Sequence, residues 1–172
     1  MANPAPLTVG PNRNRINAAF TLGLFAILGA LAFEHIGGLY PCPLCLEQRW
    51  PYYVGLPALA LLIFGWEKLN QHVRVGISVG VAGLFAWGTW LGVYHSGVEW
   101  GIFEGPQSCV GIGDVAVSMD MLGDLGGVRI IPCDAVQFEL FGISLAGFNA
   151  IVSATIVVLL VMSIWGQVSR KA

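Results

Sequence analysis

Four long stretches of the chain lack charged side chains, and polar segments separate them. They run over about 16–33, 50–66, 75–94 and 142–165. A helix needs about 20 mostly apolar residues to cross the hydrocarbon of a bilayer. With their flanks the stretches become spans at about 16–36, 46–66, 74–95 and 142–166, in one domain covering 1–172. Only helices and closed barrels satisfy their backbone within lipid. The pattern therefore predicts an all-α membrane protein: a bundle of four transmembrane helices, with one long loop at 96–141.

Local signals refine this outline. Residues 1–14 form a polar tail containing prolines. The alternative for the first run is a cleaved leader, but no small-residue cleavage site precedes Glu34, and further apolar runs follow. Pro57 is expected to kink the second span. Pro51 leaves two arrangements open: a helix starting there with Cys45 in a loop, or a kink within a helix starting near Cys45. The third run carries Gly76-x-x-x-Gly80 and Gly88-x-x-x-Gly92, spacings that permit close helix approach. In the long loop, Val115, Met119 and Leu122 suggest a short surface helix over 114–125, against an ordinary packed loop segment.

Composition supports the membrane class. Hydrophobic residues make up 56% of the chain and charged residues 10%, against about 25% charged in soluble domains. A net charge of −2 with no basic block gives no reason to expect nucleic acid. The placement of charge says more than its sum. Arg13 and Arg15 precede the first run, Lys68 and Arg74 lie between the second and third, and Arg170 and Lys171 follow the fourth. The long loop instead holds Glu99, Glu104, Asp114, Asp120, Asp124, Asp134 and Glu139 against a single Arg129. The positive-inside rule then puts both termini in the cytoplasm and the first and third loops outside. All four cysteines fall on that outer side.

Those cysteines carry the candidate chemistry. Cys42 and Cys45 form a Cys-x-x-Cys motif between the first two spans, while Cys109 and Cys133 lie in the long loop. Of the three connectivities, the local pair and the loop pair are the natural choice on an oxidising side. A four-residue ring adds little stability, so the local pair reads as redox-active. The loop pair reads either as an exchangeable disulfide or as a staple closing about 25 residues, a closure worth roughly 3 kcal/mol. Arg49 follows Cys45 by four positions, one helical turn if the helix is continuous. If Cys45 begins that helix, its end also favours a thiolate. Arg49 alone would read as a topological or headgroup-binding residue. His95, ending the third span, reads as an interfacial hydrogen-bonding residue or as a donor to a bound carbonyl oxygen. His35 has the same options, Glu34 reads as an interfacial or inter-helix partner, and Glu47 and Gln48 as solvated. The rival reading is a non-catalytic adaptor or zinc protein holding one metal on its four cysteines.

The chain resembles the DsbB family of bacterial inner-membrane thiol oxidases over nearly its whole length. The marks are Pro-Cys-x-Leu-Cys-x-x-x-Arg at 41–49, the four spans and the outer cysteine pair. Tyr94-His95, Cys133-Asp134 and Phe-Gly-Ile-Ser at 141–144 add to them. The related vitamin K epoxide reductase family places its loop cysteines before its membrane pair; here the membrane pair comes first. Gln48 stands where some members of the family carry an acid.

The resemblance implies a location in the bacterial inner membrane, with the cysteines facing the periplasm. It implies a relay in which a periplasmic DsbA-like dithiol protein is oxidised by a Cys109–Cys133 disulfide. Cys42–Cys45 would reoxidise that pair, and Cys45 would pass electrons to ubiquinone or menaquinone from the membrane pool. Arg49 would stabilise the thiolate and the acceptor, with His95 a neighbour of the acceptor, and no metal is implied. A reductase of the same architecture, running electrons inward, would share these marks.

Overall fold

The computed structural model describes residues 10–106 and 132–169. Cys109, the 114–125 segment, Arg129, Arg170 and Lys171 lie outside the described residues. The elements in chain order are α1 Pro11–His35, α2 Pro43–Glu47, α3 Trp50–Gly65, α4 Gln71–Glu99, β1 Glu139–Leu140, β2 Ile143–Ser144 and α5 Leu145–Val168.

The protein is an all-α membrane protein, its described residues holding, besides helices, one small hairpin of two-residue strands. Helices α1, α4 and α5 are long and apolar enough to cross a bilayer. The 16 residues of α3 rise only about 24 Å, short of the hydrocarbon's roughly 30 Å. α4 packs along α5 and α3, and α1 packs along α5 and α3. Between them lies a core of Ile16, Ala19, Ile27, Tyr52, Leu56, Leu59, Leu62, Val81, Phe85, Ile156 and Leu160. Phe25, Leu61, Phe64, Trp87, Trp90 and Trp165 point outward, as suits a protein whose solvent is lipid.

Hydrogen bonds fix which ends lie together. Arg15 Nη1 donates to the Met162 carbonyl at 2.8 Å and Arg13 Nη2 to that of Ile63 at 3.3 Å. Thus two arginines at the start of α1 satisfy carbonyls near the ends of α5 and α3, where cations are favoured. Gln71, at the start of α4, donates to the Gln167 carbonyl. This is the basic end, where Arg74 also lies over the Trp66 ring, 4.6 Å from its centroid. The end of α1, α2, the end of α4 and the start of α5 gather at the opposite end.

The two glycine pairs of α4 differ in use. A Cβ on Gly92 would lie 2.9 Å from the Ala150 backbone nitrogen, whereas one on Gly76 or Gly80 meets nothing within 4 Å. Gly92 therefore sets how closely α4 and α5 approach, beside Asn149. Replacing Gly92 by valine forces backbone apart and is expected to cost about 1–3 kcal/mol. The midpoint of thermal or SDS unfolding of the detergent-solubilised protein should drop accordingly. An unchanged midpoint would show that the contact can relax at no cost.

Before α5, β1 and β2 pair antiparallel, Glu139 with Ser144 and Leu140 with Ile143. Phe141 and Gly142 make the turn with φ of 54° and 78°, the left-handed pair that a two-residue hairpin requires. Ser144 then caps α5, its side chain accepting the Gly147 N–H at 3.2 Å.

Candidate redox site

The two arrangements that the sequence left open at Pro51 are both replaced by a third. Cys45 lies in a short helix of its own, α2, which ends at Glu47, and α3 starts at Trp50 with Pro51 in its first turn. The cause is the proline. Pro51 has no N–H to offer the Glu47 carbonyl, and its ring crowds that position. The joint tightens instead: Arg49 N bonds Leu46 O at 3.1 Å, and Tyr52 N bonds Arg49 O at 3.0 Å. Arg49 is thus the residue before α3, outside the helix that carries Cys45.

Cys42 and Cys45 form a disulfide. It is Cys42, not Cys45, that caps α2: its sulfur accepts the Cys45 backbone N–H at 3.1 Å. Cys42 is buried and packs with Leu44, Val98 and Cys133 in a small cluster apart from the main core. Cys133 is itself disulfide-bonded. Cys45 is half-buried.

His95 stands between Cys42 and Cys133. Its Nε2 lies 3.2 Å from the Cys133 carbonyl oxygen and 3.7 Å from the Cys42 sulfur. A Glu99 oxygen is 3.9 Å away, and that carboxylate also accepts from the Ser144 hydroxyl. On the other side of the ring, Gln48 Nε2 lies 2.6 Å from Nδ1. Asn149 Nδ2 donates to Gln48 Oε1 at 2.6 Å, Tyr52 O–H donates to Asn149 Oδ1 at 2.6 Å, and Ser153 Oγ lies 3.2 Å from the Tyr52 oxygen. Five side chains from four segments make one polar string through an apolar interior.

Arg49 is buried and pairs with Glu34 of α1. This is the inter-helix partner that the sequence suggested for Glu34. His35 does not join the site; its Nδ1 meets the Leu31 carbonyl of its own helix at 3.0 Å. The residues that follow Cys133 are pinned to the end of α1 and the turn after it. Gln137 donates to the Tyr40 carbonyl at 2.6 Å, and Phe138 meets Phe33 with ring centroids 4.9 Å apart.

A cavity of about 420 Å³ opens against this group. Cys45, Arg49, Gln48, His95 and Asn149 are among its polar lining, with the carboxylates of Glu34 and Glu99, and Phe33, Phe138, Phe148, Leu145 and Val152 are among its apolar walls. That volume is within the usual range for a small-molecule site, about 300–1,000 Å³. An apolar slot with a guanidinium and amides at one corner suits a flat, lipid-soluble molecule bearing carbonyl acceptors.

The sulfurs of Cys42 and Cys45 and a His95 nitrogen lie within 4.8 Å of one another. While the two sulfurs are bonded they offer no thiolate, the form in which cysteine ligates zinc. A metal on this trio requires the reduced protein and a fourth ligand.

Cys42, Cys45, Arg49, His95 and Cys133 thus meet in space, while Cys109 lies outside the described residues. Gln48, Asn149 and Tyr52 were not legible as site residues. The signal that could have found them is an amide inside an apolar run, such as Asn149, because a polar group in a span must find a partner.

Comparison with known proteins agrees with this picture. The family described as Disulfide bond formation protein DsbB matches residues 12–163. A protein of Albidiferax ferrireducens named Disulfide bond formation protein B is 29% identical over 164 residues, covering 88% of this chain and 89% of its own. One of the same name from Nitrosospira multiformis is 35% identical over 108 residues, covering 59% and 61%. No solved structure matches the chain.

Proposed function

The chain belongs to the DsbB family, an oxidoreductase family of disulfide formation, and on that premise we propose that it is a membrane thiol:quinone oxidoreductase. It takes electrons from a periplasmic DsbA-like dithiol protein through Cys109 and Cys133, then through Cys42 and Cys45. The observation that carries this reading is the placement of one disulfide between two neighbours. Cys42 packs against Cys133, and the same disulfide borders the cavity through Cys42 and Cys45.

The steps balance as two-electron exchanges. The donor dithiol reduces the Cys109–Cys133 disulfide and leaves as a disulfide. Cys133, as the thiolate, attacks the Cys42 sulfur; the Cys133–Cys42 bond forms, the Cys42–Cys45 bond breaks, and Cys45 leaves with the electron pair. Cys109 then displaces Cys42, restoring the loop disulfide and leaving Cys42 and Cys45 reduced. Cys45 faces the cavity, and Arg49 beside it favours negative charge there.

A quinone bound in the cavity supplies an acceptor of two electrons and two protons, ubiquinone and menaquinone both being candidates. Arg49 would donate to one of its carbonyls, and Phe33, Phe138 and Phe148 would wall its ring. The protein contributes position, charge and exclusion of water.

Four membrane crossings follow if α2 and α3 act together. Residues 43–65 rise about 34 Å, enough to span. The basic end, with Arg13, Arg15, Lys68 and Arg74, is then cytoplasmic, and the cysteine end faces the periplasm of a bacterial inner membrane.

The test is quinone reduction, followed by absorbance, with purified protein and a reduced DsbA-like donor. Each quinone reduced should be matched by a donor disulfide formed. Absence of turnover with either quinone type, together with stoichiometric zinc in the preparation, would overturn the reading in favour of a metal-binding protein.

A further inference from the structure

The direction of every hydrogen bond in the polar string around His95 follows from one atom. The Cys133 carbonyl oxygen, 3.2 Å from His95 Nε2, can only accept, so Nε2 carries a proton. In the neutral ring Nδ1 is then an acceptor. It must face the NH₂ group of Gln48, which turns Gln48 Oε1 toward Asn149. Asn149 spends its NH₂ on Gln48 and presents its oxygen to Tyr52 O–H, leaving the Tyr52 oxygen to accept from Ser153. The string is self-consistent from end to end. Reversing it would set Gln48 Oε1 against Nδ1, which with Nε2–H kept on the Cys133 carbonyl demands a second ring proton, the charged form that the Glu99 carboxylate 3.9 Å from Nε2 would favour.

The same Nε2–H is 3.7 Å from the Cys42 sulfur. One proton therefore stands where the two cysteine pairs meet, while the acceptor side of Cys45 is served by Arg49. Both ring nitrogens are engaged within the protein, Nε2 with the Cys133 carbonyl and Nδ1 with Gln48, although His95 also borders the cavity.

We propose that His95 is a positioning residue for exchange between the two cysteine pairs, latching the Cys133 backbone beside the Cys42 sulfur through Nε2–H. In this arrangement Gln48, Asn149 and Tyr52 form the string that keeps the proton on that nitrogen. The proposal rests on the relay above and assigns His95 to its internal step, not to its acceptor step. Holding Cys133 near Cys42 raises the effective concentration for attack. Fixing the tautomer means that no ring flip or proton shift precedes each turnover.

Two measurements test it. Full-length protein labelled with ¹⁵N in its three histidines reports ring protonation directly, with His95→Gln identifying the His95 signals. The oxidised protein should show His95 neutral, with Nε2 protonated and Nδ1 bare; a proton on Nδ1 in place of Nε2 overturns the proposal whether or not the relay operates. Gln48→Glu, nearly isosteric, replaces the donor facing Nδ1 by an acceptor and should bring a proton onto Nδ1. An unchanged Nδ1 signal in that variant also overturns the proposal.

The kinetic measurement separates the two steps. Single-turnover exchange with reduced donor and no quinone should slow about tenfold or more in His95→Gln. In the same variant, quinone reduction by protein already reduced at Cys42 and Cys45, which bypasses the exchange, should slow by a clearly smaller factor than exchange does. Asn149→Leu should slow exchange by a smaller factor and add nothing when combined with His95→Gln, the mark of acting through it. A raised quinone KM with unchanged exchange in His95→Gln, or additive losses in the double variant, would overturn the assignment.

Discussion

With Cys45 replaced by alanine, quinone reduction driven by a reduced DsbA-like donor falls to the uncatalysed background, a loss of at least about a thousandfold. The size follows from chemistry. Without Cys45 there is no disulfide for Cys133 to open and no thiolate on the cavity wall, so the covalent route is cut at both ends. The accompanying loss of stability should be small. Closing a four-residue ring is worth about 2 kcal/mol in the chain-entropy model, and Cys42 keeps its packing against Leu44 and Val98. Unfolding midpoint and turnover should therefore separate clearly. Residual turnover above a few per cent of wild type would show that electrons leave by another sulfur and would sink the proposed order of exchange.

Replacing Arg49 by alanine should raise the KM for quinone about ten- to a hundredfold while leaving exchange between the cysteine pairs intact. A hydrogen bond from a charged donor contributes about 1.5–3 kcal/mol, which spans that range in affinity. Arg49 is suited to the task because Glu34 holds one nitrogen of the guanidinium, and the group has five N–H donors in a fixed plane. Lysine at this position should recover only part of the affinity, since it carries the charge without the fork. Glu34→Gln keeps an oxygen for Arg49 and should change KM by less than tenfold. An Arg49→Ala protein with normal KM would leave Arg49 as a structural partner of Glu34 and move the acceptor elsewhere.

What the sequence determined by itself was the class and the chemistry. Uncharged stretches of bilayer length, together with 56% hydrophobic residues, leave an all-α membrane protein, because lipid offers the backbone no partners. The Cys42/Cys45 spacing names a redox pair, because so small a ring has little structural value. Arg49 stood out because it follows Cys45 by four positions; alone it read as a topological or headgroup-binding residue. Each of these inferences uses properties that travel with the residue or its immediate neighbours.

Only the tertiary structure decided who touches whom. Arg49 does not ride on the helix of Cys45, because Pro51 denies Glu47 its hydrogen bond and splits the segment; its fixed partner is Glu34, 15 residues earlier. Gln48 looked solvated, yet it is buried because Asn149, 101 residues away, satisfies its amide. His95 borders the cavity, and what the sequence did not show is that its Nε2 also lies against the Cys133 carbonyl, 38 residues away. Short-range pattern is blind to such pairs, since a buried polar side chain is defined by the partner that excludes water from it. The close approach of α4 and α5 at Gly92 and Ala150 is what brings those partners within reach.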